Sequence, residues 1–413
     1  MKIDKKAKEA LVIGGICATS YFAVYIARNV LSVVTPGMVE NGDFTKEYIG
    51  NISSLFFIFY AIGQLLNGLL GDRIKARYMM SAGLLLAGAA SISFPYIIYT
   101  PFVAKAAYSV TGLFLSMIYA PMTKVVAENT HPEYTTRCSL SYSLASYLGS
   151  PVAGVMAAVM AWQGVFAVSG IALVAMALIC FVSFLYLEKS GVIVHNRYKG
   201  LKDQNVKHGF VKGAKILLRR RIILFAAVSV LTGVVRTAVV FWLPTYYSEY
   251  LELGPKVSDV VFTVSTLFIS LTVFLTVAVY KLFRSNMNLT LFATFTMSAL
   301  FFLGVFLLHT PILNIVFIVL AVMSANSAAT VLWSMYCPSL KDTGMVSVAT
   351  GFLVFIGYIA SSLSSTLFAK AVDTIGWGKL ILVWVGLMAI GSIMMIPYLL
   401  RKKLSNKPKT PTR

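Results

Sequence analysis

About twelve apolar runs divide this chain, and each is long enough to cross roughly 30 Å of hydrocarbon as a helix. They fall near 11–34, 48–70, 78–98, 102–126, 139–160 and 166–187, then 222–246, 260–280, 289–308, 312–336, 346–369 and 380–400. Hydrocarbon offers no water to backbone N–H and C=O groups, so runs of this length must bond internally, as helices. Charged residues make up only 12% of the chain, about half the share of a soluble protein. The fold class expected is therefore an all-α membrane protein with twelve transmembrane helices in two pseudo-symmetric six-helix bundles. The bundles are expected at 1–187 and 222–401, with a basic linker at 188–221 and a basic tail at 402–413.

The two halves carry a matching mark. Arg28 precedes Pro36 by eight residues, and Arg236 precedes Pro244 by eight; the two pairs lie 208 residues apart. Both arginines sit inside apolar runs. A guanidinium in hydrocarbon costs several kcal/mol and stays ionised, so such a residue needs a polar partner or a water-filled cavity.

Charge placement sets the expected topology. The formal net charge is +20, and ten Lys/Arg lie between Lys189 and Arg221 against one acid, Asp203. Further basic clusters open and close the chain. Beside apolar helices these mark the cytoplasmic side of a lipid bilayer rather than a nucleic-acid site. Both termini are expected in the cytoplasm, with the chain in the cell (inner) membrane. Val211, Lys212, Lys215 and Ile216 suggest a short amphipathic helix on the membrane surface. The apolar stretch at the amino terminus continues past Arg28 without a small-residue cleavage site, so it is expected to stay as the first span.

Cys17, Cys138, Cys180 and Cys337 are scattered, without ligand spacing, and imply neither a disulfide framework nor a metal site. No HExxH, GxSxG or paired carboxylate falls within a span, so an enzyme is not expected, nor is a cofactor. A monomer is expected.

The arginines find no acid at their own depth. Every Asp and Glu maps to a terminus, a loop or a span end, with Glu249, Glu252 and Asp259 near the outer side. His131, His195, His208 and His309 also lie in loops or at ends, leaving no mid-membrane proton relay. Two unpaired guanidiniums suit an exogenous anion, whose oxygens their planar forks can bind bidentately. Tyr21 and Tyr25 share a helical face with Arg28, and Tyr60 and Gln64 form a polar face on the second span. Ser324, Asn326 and Ser327 make a polar patch on the tenth, and Tyr358 a further one on the eleventh. The serine run at 361–365 reads as close helix packing.

Between the second and third spans stands Gly68-Leu69-Leu70-Gly71-Asp72-Arg73-Ile74-Lys75-Ala76-Arg77. This Gly-x-x-x-Asp-Arg turn with added basic residues resembles the loop signature of the major facilitator superfamily, with Gly68, Asp72, Arg73 and Arg77 as its gating residues. Tyr25-Ile26-Ala27-Arg28-Asn29, Val235-Arg236 with Trp242-Leu243-Pro244-Thr245-Tyr246, and Gly357-Tyr358 with Val372-Asp373-Thr374-Ile375-Gly376-Trp377 go further. They resemble the organophosphate:phosphate antiporter family, which includes glycerol-3-phosphate and hexose-phosphate carriers. The resemblance implies that Arg28 and Arg236 clasp a phosphoryl group, with Tyr21, Tyr25, Tyr60 and Tyr358 at the site. It also implies alternating access, with an organic phosphate exchanged for inorganic phosphate.

Three departures touch the polar wall. Gln64 stands where several members carry lysine, the fifth span lacks the histidine some members use, and Ile118-Tyr119-Ala120-Pro121 keeps one proline of a common pair. The clasp is carried over; the organic moiety is not read. Two other readings share these residues: a symporter for an organic carboxylate, and a sugar-phosphate sensor that does not transport.

Overall fold

The computed structural model describes residues 5–70, 74–194, 210–308, 310–340 and 346–405. Ten of its segments are long and apolar enough to cross a membrane. The last of these is two helices joined at Gly376, whose φ of 75° breaks the helix within Val346–Ser405, and a shorter apolar stretch at Leu144–Val159 completes twelve spans. Only glycine adopts that φ without strain. The molecule is an integral, multi-pass membrane protein.

In the first half the spans are Lys5–Glu40, Lys46–Leu70, Ala76–Ile97, a broken fourth (Pro101–Leu115 and Tyr119–Asn129), Pro132–Val159 and Trp162–Lys189. The fourth breaks where Pro121 has no N–H for the carbonyl of Met117, and its ring crowds that carbonyl. Phe210–Arg219 is the expected short helix within the linker. The seventh span runs from Ile222–Gly233 through a π-helical segment, Val234–Val239, into Val240–Glu249. The eighth is Pro255–Ser270 with Thr272–Leu282, the ninth Met287–Leu307, and the tenth Pro311–Val331 with a second π segment, Leu332–Tyr336. The sixth span turns Ile171, Leu178, Ile179 and Val182 outward, as lipid contact requires.

The halves meet along three seams: first span on seventh, second on eleventh, and fifth on eighth. Exchanging the halves maps the first seam onto itself and the other two onto each other, so the packing has the twofold character of a duplicated chain. Ser54 and Ser362 place their Oγ atoms 2.8 Å apart, and Ser362 also donates to the Ser54 carbonyl at 2.8 Å. Ser365 donates to Ser53 at 3.2 Å, and Ser32 donates to the Phe241 carbonyl. The 361–365 run is thus a packing stripe, as its small side chains suggest. At the bundle end remote from residue 5, Lys46 pairs with Glu249 at 3.0 Å and Asp373 at 3.1 Å, and Lys370 pairs with Glu47 at 3.0 Å. Trp377 Nε1 adds a bond to Glu249 at 3.1 Å. All three ion pairs join one half to the other, so this end of the seam is latched.

One acid at a span end is buried. Asp259 lies in the first turns of the eighth span, 5% exposed, and its Oδ1 has no hydrogen-bond partner among the described residues. It lies on the fifth–eighth seam, where Thr263 donates to the Pro151 carbonyl at 3.2 Å and the Asp259 carbonyl faces Gly154. Burying an unpaired carboxyl is costly, and its amide isostere carries less of that cost. Asp259→Asn is expected to stabilise the latched form by about 1–3 kcal/mol. The check is thermal melting of the purified protein, where an unchanged or lower Tm would count against this account.

Candidate functional site

The first span carries Arg28 near its middle, and four rings surround the guanidinium. Its carbon lies 5.0 Å from the Tyr358 ring centroid, 5.1 Å from Tyr60, 5.2 Å from Tyr25 and 5.5 Å from Phe57. Arg28 Nη1 also donates to the Tyr358 hydroxyl at 2.8 Å. Aromatic faces stabilise a cation in a poorly solvated place without neutralising it, so the positive charge remains available to an anion.

Arg236 sits in the π segment of the seventh span, 5.9 Å from the Tyr147 ring centroid. A π turn inserts one residue into the helical register and re-aims the side chains around it, which makes it a common feature of functional sites. Each arginine therefore reaches across the seam to a tyrosine of the other half: first span to eleventh, seventh span to fifth. The halves repeat the relation as well as the residues.

Both guanidiniums line one cavity between the halves, of about 670 Å³ including its open mouth. Tyr25, Asn29, Phe57, Ser146, Tyr147 and Asn326 are among its other walls. No carboxylate pairs with either arginine among the described residues. Two like charges facing one cavity repel one another. Such a chamber has surplus positive charge, neutral hydroxyl and amide walls, and an aromatic lining, which suits a small anion with a polar body.

The remaining expected residues take graded positions. Tyr25, Arg28, Arg236 and Asn326 line the cavity. Tyr60 and Tyr358 reach it through their contact with Arg28, their rings 5.1 Å apart. Gln64 stands behind, beside the Tyr60 hydroxyl. Tyr21 is also one layer back, edge-on to Tyr25 at 4.9 Å and packed on Tyr119 at 5.6 Å and Tyr142 at 6.2 Å. Gln64 and Tyr21 are not among the residues that line the cavity directly. Phe57 and Tyr147 are lining residues that sequence reasoning missed. Phe57 is one turn before Tyr60, so the helical face was a usable signal. Tyr147 and Tyr358 are 211 residues apart rather than 208, so the offset that matches the arginines passes over this pair.

Trp242 and Tyr246, from the Trp-x-Pro-Thr-Tyr stretch, act as pins rather than walls. Trp242 Nε1 donates to the Ser365 carbonyl at 3.1 Å, and the Tyr246 hydroxyl donates to Asn314 Oδ1 at 2.5 Å. They fix the seventh span against the eleventh and tenth, and so fix Arg236. Of the loop residues, Asp72 and Arg73 lie outside the described residues, and Gly68 falls in the second helix. Arg77 is 8% exposed; it pairs with Glu188 at 3.1 Å and donates to the Tyr78 hydroxyl at 2.7 Å, tying the third span to the end of the sixth.

Gly149 of the fifth span sets the position of Tyr25. A Cβ there would lie 2.5 Å from Tyr25 Cβ and 2.9 Å from the Ile26 nitrogen, and a backbone cannot give way as a side chain can. Gly149→Ala is expected to push the first and fifth spans apart at about 1–3 kcal/mol, lowering Tm. Gly15→Ala, with nothing within 4 Å of its Cβ, serves as the silent control. Equal melting of the two variants would refute this close-packing role.

A family model of the Major Facilitator Superfamily matches residues 17–365. The Membrane sensor protein UhpC of Escherichia coli (strain K12) is 25% identical over 408 residues, covering 92% of this chain and 90% of UhpC. The Probable hexose phosphate transport protein of Chlamydia muridarum is 22% identical over 163 residues, 38% of this chain and 36% of that protein. The human Glucose-6-phosphate exchanger SLC37A2 is 46% identical over 43 residues, which is 10% of this chain and 9% of the exchanger. Among solved structures, a bacterial homologue of the lysosomal transporter Spinster, inward-facing and unoccupied, superposes with a TM-score of 0.73 at 11% identity, covering 99% of this chain and 100% of that one. A D-xylose-proton symporter gives 0.70 at 13% identity, covering 94% and 96%. These solved structures share the fold; the Chlamydia muridarum and human relatives carry a sugar phosphate in their own names. The chain belongs to the Major Facilitator Superfamily and, within it, resembles the organophosphate:phosphate antiporter family.

Proposed function

We propose that this protein is a secondary transporter that takes an organic phosphate in exchange for inorganic phosphate, holding either phosphoryl group between Arg28 and Arg236. The observation that carries this reading is the convergence of both guanidiniums on one cavity between the halves, without a carboxylate beside them among the described residues. The bundles at 1–187 and 222–401 are the moving parts, joined by the linker at 188–221. With the basic clusters on the cytoplasmic side, the latched end faces outward and the cavity opens inward.

The electrostatics supply a reason for exchange. Closing the inner side draws the halves together around two like charges in a medium that screens them poorly. An anion between them turns repulsion into two attractions, so the loaded carrier closes and the empty one resists. A midplane site between repeated halves is where such rocking changes access most.

A second reading has its own support: the relative matched along nearly its whole length is called a sensor. A sensor would bind the same ligand without moving it. Counterflow separates the two. Proteoliposomes loaded with phosphate should accumulate labelled phosphate, and external glucose 6-phosphate or glycerol 3-phosphate should compete. Binding without counterflow would favour the sensor. Net uptake driven by a proton gradient, with no internal anion, would sink the exchange mechanism.

A further inference from the structure

The tenth span carries two buried asparagines with opposite fates. Asn314 is fully engaged: its Oδ1 accepts from the Tyr246 hydroxyl at 2.5 Å, and its Nδ2 donates to the carbonyls of Val305 at 2.9 Å and Leu308 at 3.0 Å. Asn326, further along the helix, lines the cavity, is 3% exposed, and has a buried Oδ1 with no hydrogen-bond partner among the described residues.

The contrast has a chemical cause. Hydroxyls on this helix satisfy themselves against carbonyls one turn back: Ser324 donates to Leu320 at 2.8 Å, Ser327 to Met323 at 3.0 Å and Thr330 to Asn326 at 2.9 Å. An amide nitrogen can do the same, as Asn29 does to the Tyr25 carbonyl at 2.6 Å. An amide oxygen cannot, because every N–H in a helix interior is already committed. It needs a donor from outside the helix, and an unmet buried acceptor is destabilising.

The donor it awaits is not the phosphoryl group, whose oxygens act as acceptors toward Arg28 and Arg236. An ammonium group would be repelled by those same two cations. A hydroxyl fits: it donates to Oδ1 and can accept from Nδ2 of the same amide. The tenth span packs against the π segment that bears Arg236, so the amide and the guanidinium belong to one wall. We infer that Asn326 is a specificity-determining residue that accepts a hydrogen bond from a hydroxyl on the organic part of the cargo. The inference rests on the organic-phosphate reading above.

The test compares matched ligands that differ in hydroxyls: glucose 6-phosphate against cyclohexylmethyl phosphate, and glycerol 3-phosphate against n-propyl phosphate. Each is used to inhibit labelled-phosphate counterflow, and the ratio of the two inhibition constants is read, which does not depend on how much rate a variant retains. The unaltered protein should favour the hydroxylated member of at least one pair, and Asn326→Leu should shrink that ratio about tenfold, as loss of one hydrogen bond implies. Asn326→Ser serves if the leucine variant does not fold. A ratio left unchanged by the substitution overturns the inference, as does a protein without preference for the hydroxylated ligands. If counterflow is absent, exchange fails, and the same pairs are compared by thermal shift, where the same two outcomes decide on Asn326.

Discussion

Lysine in place of either Arg28 or Arg236 is expected to reduce phosphate counterflow on the order of a hundredfold, as removing two charge-assisted hydrogen bonds would. The substitution keeps the positive charge, so a site that needed only charge would lose little. The geometry demands more. Arg28 holds the Tyr358 hydroxyl with Nη1 at 2.8 Å while its plane lies among four rings, which leaves the rest of the fork for an anion. An ammonium offers a compact charge and no plane, so it cannot make the tyrosine contact and a bidentate anion contact together. Among the described residues Arg236 has a single ring contact, at 5.9 Å, which leaves more of its fork to an anion. Melting curves would establish that each variant folds, and counterflow would be read in matched proteoliposomes. Two folded lysine variants that both keep more than about a tenth of the exchange would remove the bidentate clasp from the mechanism.

The reason this site was legible from sequence is energetic. A guanidinium in hydrocarbon is so unfavourable that two of them at one offset, without an acid at their depth in the sequence, point to a shared polar cavity, and both line one. The spans were legible for the same reason, since apolar length is a direct consequence of bilayer thickness. What could not be read depends on how the halves meet. Tyr147 matches Tyr358 only across the seam, with the register displaced by nearly one helical turn. Asp259 looks like a span end in one dimension and becomes a buried acid only when the fifth span covers it. The π segment around Arg236 leaves no local signature, because Val234, Val235, Ala238 and Val239 beside it are ordinary helix-interior residues and the segment packs on the tenth and eleventh spans. The depth of Gln64 and Tyr21 behind the cavity wall was not legible either, since a helical face does not say how deep the neighbouring helix lies.

Joining residues 54 and 362 by a disulfide is expected to stop transport. The Ser54 and Ser362 Oγ atoms are 2.8 Å apart on opposite halves, and the Ser362 hydroxyl also bonds the Ser54 backbone, so the side chains already point at one another. Cysteines there would need little backbone movement to bridge. The four native cysteines are buried and offer an oxidant no ready competitor. In an alternating-access cycle the latched end must open once per turnover, parting this seam together with the Lys46, Glu249, Asp373 and Glu47–Lys370 pairs. A covalent bridge makes the open state inaccessible, whereas an exposed ion pair such as Glu47–Lys370 contributes only about 0–1 kcal/mol and can be broken every cycle. Oxidised Ser54→Cys/Ser362→Cys protein should therefore lose counterflow by roughly tenfold or more, limited by cross-linking yield, and reductant should restore it. Either single variant should be insensitive to oxidant. Ligand binding should survive in the locked protein if the cavity opens, as proposed, at the other end. Full counterflow through a verified cross-link would mean that the halves do not part along the second and eleventh spans, and the rocking mechanism built on Arg28 and Arg236 would fall with it.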